Sequence, residues 1–448
     1  MYVRDLLPLF GRKAMGRDFS SDPTSNHMTW RGSRRLAMPR VTALLLALLP
    51  MPVLAACTGA SPTWTTSIDQ SSVQTCITNA ASGDTINVSS GSGSWSNLSI
   101  PNTKGVTLAC PNGGCSVSGA TALVIFESTA ASSRLTGFSF TTVGGSSNAT
   151  LDVQGDGTTK MARIDDNTFT SSGAGTWIET DSNENGYGAV LIDHNTLSAG
   201  SSAEMIHVVA YGADSGTYGW TNDVVPGSAN MVFIEANTSN CTSCSGQAYN
   251  NLVQSYYGAR TVVRNNTINY GQVDQHGTAG MVWSRWWEIY NNTFNGMNMN
   301  PSDWMELRGG SGVIWGNTFE NGATDIGLQD EVCGSYPDPM QIGRGIDEKA
   351  SPAYLWGNGP STSYVITVEQ CSANVQLNRD YFVSTSQPAT LERCESAADV
   401  AAGCPVSYNY TPFPYPFPLT ANGLPNPSGT TSKAPSPATN LTGTVQAQ

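Results

Sequence analysis

A short pattern around an asparagine recurs six times in the middle of the chain and limits what this sequence can fold into. In each copy a short apolar strand precedes the asparagine, and threonine follows it. The repeated asparagines are Asn167, Asn195, Asn237, Asn266, Asn292 and Asn317, with spacings of 28, 42, 29, 26 and 25 residues. A period of this length with one β-branched strand per copy is typical of a solenoid, in which each repeat buries its inner face against the next.

The composition agrees with a β-solenoid and argues against a helical protein. Only 12% of the 448 residues are charged, whereas amphipathic helices need Lys, Glu and Arg on their solvent face. Hydrophobic residues make up 39% of the chain, which argues against general disorder. Asparagine suits a sharp turn because it tolerates left-handed backbone and can hydrogen-bond along a stack. We therefore predict an all-β protein.

Residues 65–330 resemble a right-handed parallel β-helix of the pectin-lyase-like superfamily. Six in-phase repeats carry this resemblance, together with an N-terminal segment in which Val73–Ala80 has helical spacing and Gly83-Asp84-Thr85-Ile86-Asn87-Val88 follows. In that superfamily an amphipathic capping helix precedes such a strand, so the resemblance implies the same arrangement here. Further strands are expected at 98–100, 106–108, 122–126 and 135–140.

No specific enzyme family of this fold matches the sequence. Asp193-His194 is similar to a pectate lyase segment, but Leu191 stands where that family has Trp, and its downstream acidic calcium cluster is missing. The Gly-His-Gly with paired Asp that is typical of polygalacturonases is also missing. Because many unrelated functions occur on this scaffold, the resemblance predicts fold more than chemistry.

Four segments are expected along the chain. Residues 1–56 form an N-terminal extension with a signal peptide, residues 57–330 the β-helix, residues 331–420 a C-terminal cap, and residues 421–448 a Pro/Ser/Thr-rich disordered tail. Tyr408–Leu419 alternates aromatics with Pro. Since Pro is incompatible with a central strand, we expect an irregular, disulfide-pinned cap that lays aromatics along the outside of the helix.

The surplus length between Asn195 and Asn237 is assigned to a loop at Tyr211–Pro226 that walls a binding groove.

The N-terminal region predicts export. Arg31–Arg40 is basic and is followed by the apolar run Val41–Leu54, which is typical of a secretory signal and too short for a transmembrane span. Its depth favours Met28 or Met38 as the true start. Leu54-Ala55-Ala56-Cys57 resembles the bacterial lipobox, in which Cys57 would carry a lipid anchor. Ordinary cleavage beside Ala55 or Ala56 is the alternative that we favour, so we predict a secreted protein, with an outer-membrane lipoprotein as the alternative.

The ten cysteines support an oxidising compartment, extracellular or periplasmic. Proximity in the sequence predicts five disulfides: 57–76, 110–115, 241–244, 333–371 and 394–404. Lipidation of Cys57 would leave Cys76 without a partner, which favours ordinary cleavage.

The charge balance bears on partners. Residues 1–56 carry eight basic and three acidic side chains, which leaves 13 basic and 31 acidic in the rest of the chain. Such an anionic surface does not favour nucleic acid or anionic membranes. A polysaccharide is the expected partner, and a monomer is the expected state.

The richest window for chemistry is 273–310, where carboxylates, two Arg, a His and several Trp lie close together. Sugars stack on aromatic faces, and Arg pairs with carboxylates. The predicted catalytic residues are His276, Arg285, Arg308, Asp303 and Glu306. The predicted substrate-binding residues are Glu204, His207, Gln247, Asp274, Trp286 and Trp304. Counting from the turn asparagines places Glu204, Gln247, His276 and Asp303 at about the same phase.

Three functions follow from this window. The first is a polysaccharide lyase-like enzyme acting on an acidic plant or microbial glycan, with His276 as base and Arg285 and Arg308 as clamps on the substrate carboxylate. The second is a glycoside hydrolase with paired carboxylates, such as Asp303 with Glu306. The third is a non-catalytic glycan-binding or adhesion module. A structural alternative pairs Glu288 and Glu306 with Arg285 and Arg308 as an ion-pair ladder.

No cofactor is required by these functions. With three histidines after residue 56, a histidine metal cluster is not expected. Ca²⁺ between acidic side chains of neighbouring repeats is the one metal that the sequence leaves open.

Overall fold

The repeated strands coil into three parallel β-sheets that run along a common axis. The computed structural model describes residues 57–142, 149–155, 159–171, 175–182, 189–200, 204–210, 223–241, 251–277, 283–296, 303–320, 324–330, 333, 341–360, 364–369 and 371–428. Each turn of the coil adds one strand to each sheet, so neighbours within a sheet are one repeat apart in sequence. The protein is therefore a parallel β-helix, as the asparagine repeat predicts.

Strands are numbered in chain order, and the described residues contain sheets A, B and C with 13, 9 and 10 strands. Sheet A contains β1 (Thr58–Ala60), β2 (Thr63–Thr66), β3 (Thr85–Val88), β6 (Thr107–Ala109), β9 (Arg134–Thr136), β12 (Ala162–Asp165), β15 (Val190–Asp193), β18 (Val232–Glu235), β21 (Arg260–Arg264), β24 (Trp286–Tyr290), β27 (Ser311–Trp315), β30 (Ala353–Trp356) and β32 (Tyr381–Ser384). Sheet B contains β4 (Gly91–Ser94), β7 (Cys115–Ser118), β10 (Phe138–Thr142), β13 (Thr168–Ser171), β16 (Thr196–Ala199), β19 (Thr238–Cys241), β22 (Thr267–Asn269), β25 (Thr293–Asn295) and β28 (Thr318–Glu320). Sheet C contains β5 (Leu98–Ile100), β8 (Leu123–Phe126), β11 (Leu151–Gly155), β14 (Thr176–Ser182), β17 (Glu204–Val209), β20 (Asn251–Tyr256), β23 (Gln272–Gln275), β26 (Asp303–Leu307), β29 (Thr324–Leu328) and β31 (Tyr364–Val368).

The interior is filled by every second side chain of each strand. In β11, Leu151 and Val153 are fully buried, whereas Asp152 and Gln154 between and after them are partly exposed. This alternation follows from the period of two in a β-strand. Because parallel strands pair in register, like residues stack, and the rings of Phe140 and Phe169 lie 5.2 Å apart. The stacked layers form one continuous apolar core.

A ladder of asparagines makes the turn between sheets A and B. Each repeated asparagine donates from Nδ2 to Oδ1 of the asparagine on the next turn, over 2.9–3.2 Å. The residue before each one is left-handed, for example His194 with φ 56°. The side chain of Asn195 also donates to the carbonyl oxygen of Asp193 over 3.0 Å, which closes the turn. Asp193-His194 thus belongs to a turn, and the half-exposed His194 bonds Asp193 through Nδ1 over 2.8 Å.

The β-helix does not stop near residue 330, contrary to the sequence-based boundary. Strands β30 and β32 extend sheet A, and β31 extends sheet C. Asn358 also continues the ladder by accepting from Asn317 over 2.9 Å. The described residues of 57–428 belong to a single compact unit, so segment 331–420 is partly solenoid and partly cap.

The remaining C-terminal elements are short. A hairpin pairs β33 (Leu391–Arg393) with β34 (Val406–Tyr408), and helix α2 (Ala397–Ala402) lies between them. Ser396 and Asp399 form a capping box at the start of this helix, and the Cys394–Cys404 disulfide brackets it. A 3₁₀ turn covers Ile346–Glu348.

Residues 408–428 form a C-terminal strap over the outer face of sheet A. Its aromatic side chains lie along the outside of the β-helix, as predicted from the sequence. Phe413 and Phe417 pack on Phe233 of β18. Tyr410 donates from its hydroxyl to Glu288 Oε2 over 2.6 Å, and Arg163 donates to the carbonyl oxygen of Gly423 over 2.7 Å. The strap therefore runs back along the axis from β24 to β12. Residues 421–428 belong to this strap, which corrects the prediction of a disordered tail from residue 421.

The N-terminal end agrees with the capping helix that the resemblance implies. Helix α1 (Gln70–Asn79) lies between β2 and β3, and Asp69 caps it by accepting from Ser72 N over 3.1 Å. Its buried residues include Val73 and Ile77, which join the continuous core. Within the described residues, no helix is long and apolar enough to cross a membrane.

Four of the five predicted disulfides are present: 57–76, 110–115, 333–371 and 394–404. Cys241 is also disulfide-bonded, and its predicted partner Cys244 lies outside the described residues. The bond to Cys76 occupies the sulfur of Cys57 that a lipid thioether would need.

We therefore expect the exported protein to carry a Cys57–Cys76 disulfide and no lipid. Peptide mapping without reduction, followed by mass spectrometry, should find the two peptides linked. A peptide that begins at Cys57 with an acylated glyceryl group, beside a free Cys76 thiol, would contradict this expectation.

Candidate functional site

The outer face of sheet C carries a row of polar and ionisable side chains, one from each successive strand. Strand pairing brings them into register, in the order Asp152, Glu179, His207, Gln254, Asp274 and Glu306. We call these six residues the polar row. Parallel strands lie about 4.8 Å apart, so the polar row extends about 24 Å along the axis.

The other two outer faces offer less chemistry. The strap covers much of the charged outer face of sheet A, and several of its carboxylates bind strap or loop backbone, such as Glu235 with Phe417 N over 2.8 Å. The outer face of sheet B has a column of threonines in register, namely Thr168, Thr196, Thr238, Thr267, Thr293 and Thr318. The outer face of sheet C is therefore the candidate functional site.

Three carboxylates and His207 lie at the more accessible end of the polar row. Glu179 and Asp152 are in register on neighbouring strands, and Glu204 lies three residues before His207 on β17. Glu179 Oε2 lies 3.3 Å from Nδ1 of His207, and the two side chains are 28% and 15% exposed. Tyr256 packs edge-on against the His207 ring at 5.1 Å. The ionisable side chains of Glu179 and His207 are thus partly exposed to solvent.

Burial raises the pKa of two of these three carboxylates, Asp152 and Glu204. Burial raises the pKa of Asp152, and the nearby charge of Glu179 raises it further, while the hydrogen bond from Gln154 opposes the shift. Burial also raises the pKa of Glu204, against the attraction of His207. A carboxyl group of raised pKa with a second carboxyl side chain on the neighbouring strand is the arrangement that acid–base catalysis uses.

Arg308 organises the more buried end of the polar row. It donates to Glu306 Oε2 over 2.6 Å, lies 3.5 Å from Asp274 Oδ1, and donates to His276 Nε2 over 3.0 Å. The guanidinium is therefore already neutralised by two carboxylates. Burial and the charges of Arg308 and His207 lower the pKa of His276 to about 3, so His276 is neutral near pH 7 and its Nε2 lone pair faces Arg308.

The lowered pKa of His276 makes part of the stability depend on pH. In the unfolded chain His276 is protonated below its ordinary pKa of about 6.5. In the folded protein it is protonated only below about pH 3. The stability that comes from neutral His276 is therefore fully present above about pH 6.5 and is lost as the pH falls. His276→Gln keeps an acceptor for Arg308 but cannot titrate. Between pH 7 and 4, we expect the variant to lose less stability than the wild type, by about 3 kcal/mol.

Urea denaturation at the two pH values measures this difference. His194→Gln serves as control, because Asp193 raises the pKa of His194, and that contribution is present at low pH and lost as the pH rises. Equal pH dependence in wild type and His276→Gln would contradict the assignment of a neutral, buried His276.

The structure brings six of the eleven predicted site residues to one face: Glu204, His207, Asp274, His276, Glu306 and Arg308. Asp303 and Trp304 lie in β26 of the same sheet, but their side chains fall outside the described residues, as does Gln247. The loop predicted at 211–226 is described only from Asp223, where Val224 N donates to the carbonyl oxygen of Glu395 over 2.7 Å. That end of the loop contacts the cap.

The prediction that Arg285 and Trp286 belong to the site is wrong. Both precede or begin β24 of sheet A, so neither reaches the outer face of sheet C. Arg285 is fully buried in an ion pair with the fully buried Glu395, and Trp286 is buried beneath the strap region with its Nε1 bonded to Glu288 Oε1 over 3.1 Å. The alternative ion-pair ladder is right for Glu306 with Arg308 and wrong for Glu288 with Arg285.

The predicted phase of Glu204 and His276 is also wrong. Glu204 is in register with Asn251 and Gln272, not with His276. The loops between the sheets differ in length, and the register shifts between Asn251 and Val253. Counting residues from the turn asparagines therefore drifts by several positions before sheet C is reached.

Several residues of this face were not among the predicted site residues: Asp152, Glu179, Gln254, Tyr256, Gln272, Gln329 and Glu369. A usable signal existed for Asp152, because β11 alternates apolar and polar residues without a break. No group of three or more His, Cys, Asp or Glu in the described part of the chain is placed to hold a metal ion. Glutamine side chains and Arg308 bind the carboxylates of the polar row instead.

No protein-family model matches this chain, and no curated protein is significantly similar to it. The arrangement of its own residues therefore has to carry any proposal about function.

Proposed function

We propose that the chain is an exported, carbohydrate-active β-helix protein of the pectin-lyase-like superfamily that hydrolyses glycosidic bonds. The observation that carries this proposal is the pair Asp152 and Glu179. Their strands are in register, and burial together with the charge of Glu179 raises the pKa of Asp152. Glycoside hydrolysis needs one carboxyl group as acid and another as carboxylate.

The chemistry follows from the spacing. Strands about 4.8 Å apart are close to the separation of about 5–5.5 Å that retaining glycosidases use. Asp152 would protonate the leaving oxygen while Glu179, oriented by His207, attacks the anomeric carbon. Water then hydrolyses the glycosyl–enzyme bond with Asp152 taking its proton. We therefore expect retained anomeric configuration, with Glu204 as the second candidate for the acid because burial raises its pKa as well.

A polymeric substrate fits the shape of the polar row. The row follows the axis across six strands, and each strand adds a hydrogen-bonding side chain. Tyr256 lies 4.2 Å from the His276 ring and 5.1 Å from the His207 ring, which provides a small aromatic platform for a sugar face. The signal-like N-terminus and the disulfides support export to an oxidising compartment.

A polysaccharide lyase is the second candidate, because Nε2 of His207 has no hydrogen-bond partner and Glu179 orients Nδ1. Such an imidazole is suited to take a proton. The lyase needs a cation for the substrate carboxylate, and Arg308 is already bound to Glu306 and Asp274. The hydrolase therefore fits the charges better.

A glycan panel tests the proposal. Reducing ends without ultraviolet absorbance from an unsaturated uronate support the hydrolase. Reducing ends with that absorbance support the lyase and overturn the proposal. Binding without any cleavage across neutral, acidic and amino-sugar polymers also overturns it, in favour of a glycan-binding module.

A further inference from the structure

Negative charge dominates the outer face of sheet C. Among the described residues of this face, Asp152, Glu179, Glu204, Asp274, Glu306 and Glu369 carry carboxylates. Arg308 is the one guanidinium or ammonium group that the described residues bring to them, and it lies against Glu306 and Asp274. A substrate rich in uronates would be repelled along most of this length.

Three glutamines on the same face have side-chain oxygens that accept no hydrogen bond. The amide nitrogen of Gln254 donates to Asp274 over 3.1 Å, and that of Gln272 donates to Glu306 over 3.4 Å. The amide nitrogen of Gln329 donates to Glu306 over 2.9 Å and to Glu369 over 2.5 Å. Ionised carboxylates only accept hydrogen bonds. The glutamine amide nitrogens must therefore point toward them, and the amide oxygens must point away.

The burial of these oxygens makes them informative. Gln254, Gln272 and Gln329 are 3%, 0% and 2% exposed, and their Oε1 atoms have no donor. Buried polar atoms in native proteins are nearly always paired. Asp152 Oδ1 is a fourth buried acceptor without a donor. The face therefore combines excess negative charge with a shortage of hydrogen-bond donors.

We infer that this face binds a glycan that carries free amino groups, an inference that rests on the proposed function and names its substrate class. A protonated amine supplies three donors and a positive charge, which are the two properties that the face lacks. Charge-assisted hydrogen bonds from amines to carboxylates are stronger than those from neutral hydroxyls. A neutral glycan would satisfy the acceptors without the charge, and an N-acetylated one would bring fewer donors.

Matched oligosaccharides test the inference by calorimetry. Hexamers of glucosamine and of galactosamine are compared with their fully N-acetylated forms and with oligogalacturonate at pH 6 and low salt. We expect at least one amine-bearing hexamer to bind about tenfold or more tightly than its N-acetylated form, with an advantage that shrinks in salt because screening weakens charge pairs. Oligogalacturonate should bind most weakly.

A matched pair of charge reversals locates the effect. Glu369→Lys changes an exposed carboxylate that bonds Gln329 on this face, and Glu320→Lys changes an exposed carboxylate on β28 of sheet B. The first should weaken binding of the amine-bearing hexamer about tenfold or more, and the second should leave it within twofold. Circular dichroism confirms that both variants are folded.

The outcomes separate this inference from the proposed function. Equal affinity for both amine and N-acetyl forms, a preference for oligogalacturonate, or equal effects of the two lysine variants overturns the inference, even if a neutral glycan is cleaved. Tight, amine-dependent binding without cleavage supports the inference and overturns the hydrolase.

Discussion

Glu179→Gln should lower kcat on a cleaved glycan by about a thousandfold, the effect expected when a catalytic carboxylate is lost. Glutamine has nearly the same shape but cannot act as nucleophile or base. It can still meet Nδ1 of His207, which lies 3.3 Å from the native carboxylate. The KM should therefore change little, because the other side chains of the polar row keep their positions. Reducing-end release under saturating substrate measures the effect.

Glu320→Gln is the matched control for this change. Glu320 is also a glutamate in a strand, but it is exposed and lies on β28 of sheet B. Its replacement should leave kcat within twofold. If Glu179→Gln keeps more than about a tenth of the wild-type kcat, the assignment of Glu179 as the reacting carboxylate is wrong.

Arg264→Met should destabilise the fold by about 3–5 kcal/mol, the range for breaking a buried ion pair from one side. Arg264 is fully buried and donates to Glu235 over 2.6 Å and to the carbonyl oxygens of Phe413 and Pro414 over 2.6 and 2.9 Å. The guanidinium also lies 5.0 Å from the Phe233 ring. Methionine fills much of the space but leaves a buried carboxylate and two strap carbonyls without their donor.

The free energy of unfolding from urea denaturation measures this loss, and Lys349→Met provides the control. Lys349 is exposed, so its replacement removes the same charge at a surface position and should change stability by about 0.5 kcal/mol or less. A loss below about 1 kcal/mol for Arg264→Met would mean that the strap contributes little to the stability of the β-helix.

The turn residues and the alternating strands made the fold predictable. Each turn of the β-helix needs an asparagine that hydrogen-bonds to the asparagine of the next turn. Asparagines therefore recur in the sequence at intervals of about one turn, as from Asn266 to Asn292. The same dependence on regular spacing explains why the last turns of the β-helix were not predicted. Asn358 follows Asn317 after 41 residues, and this longer spacing conceals that the ladder continues past residue 330.

The site was less predictable because it depends on which strands become neighbours. Asp274, His276, Glu306 and Arg308 stood out by their density in the sequence, and they do lie together. Arg285 lies in the same dense window yet belongs to the next sheet. Glu179 lies in a segment with no dense cluster around it, and only the register of β14 with β11 and β17 brings it beside Asp152 and His207.

Hydrogen exchange in the presence of the tightest-binding oligosaccharide tests most directly whether the outer face of sheet C is the glycan site. Backbone amides in β14, β17, β20 and β23 should exchange more slowly when the glycan is bound, while those in sheet B should be unchanged. Protection confined to the threonine face of sheet B, or to the strap at residues 408–428, would contradict the account.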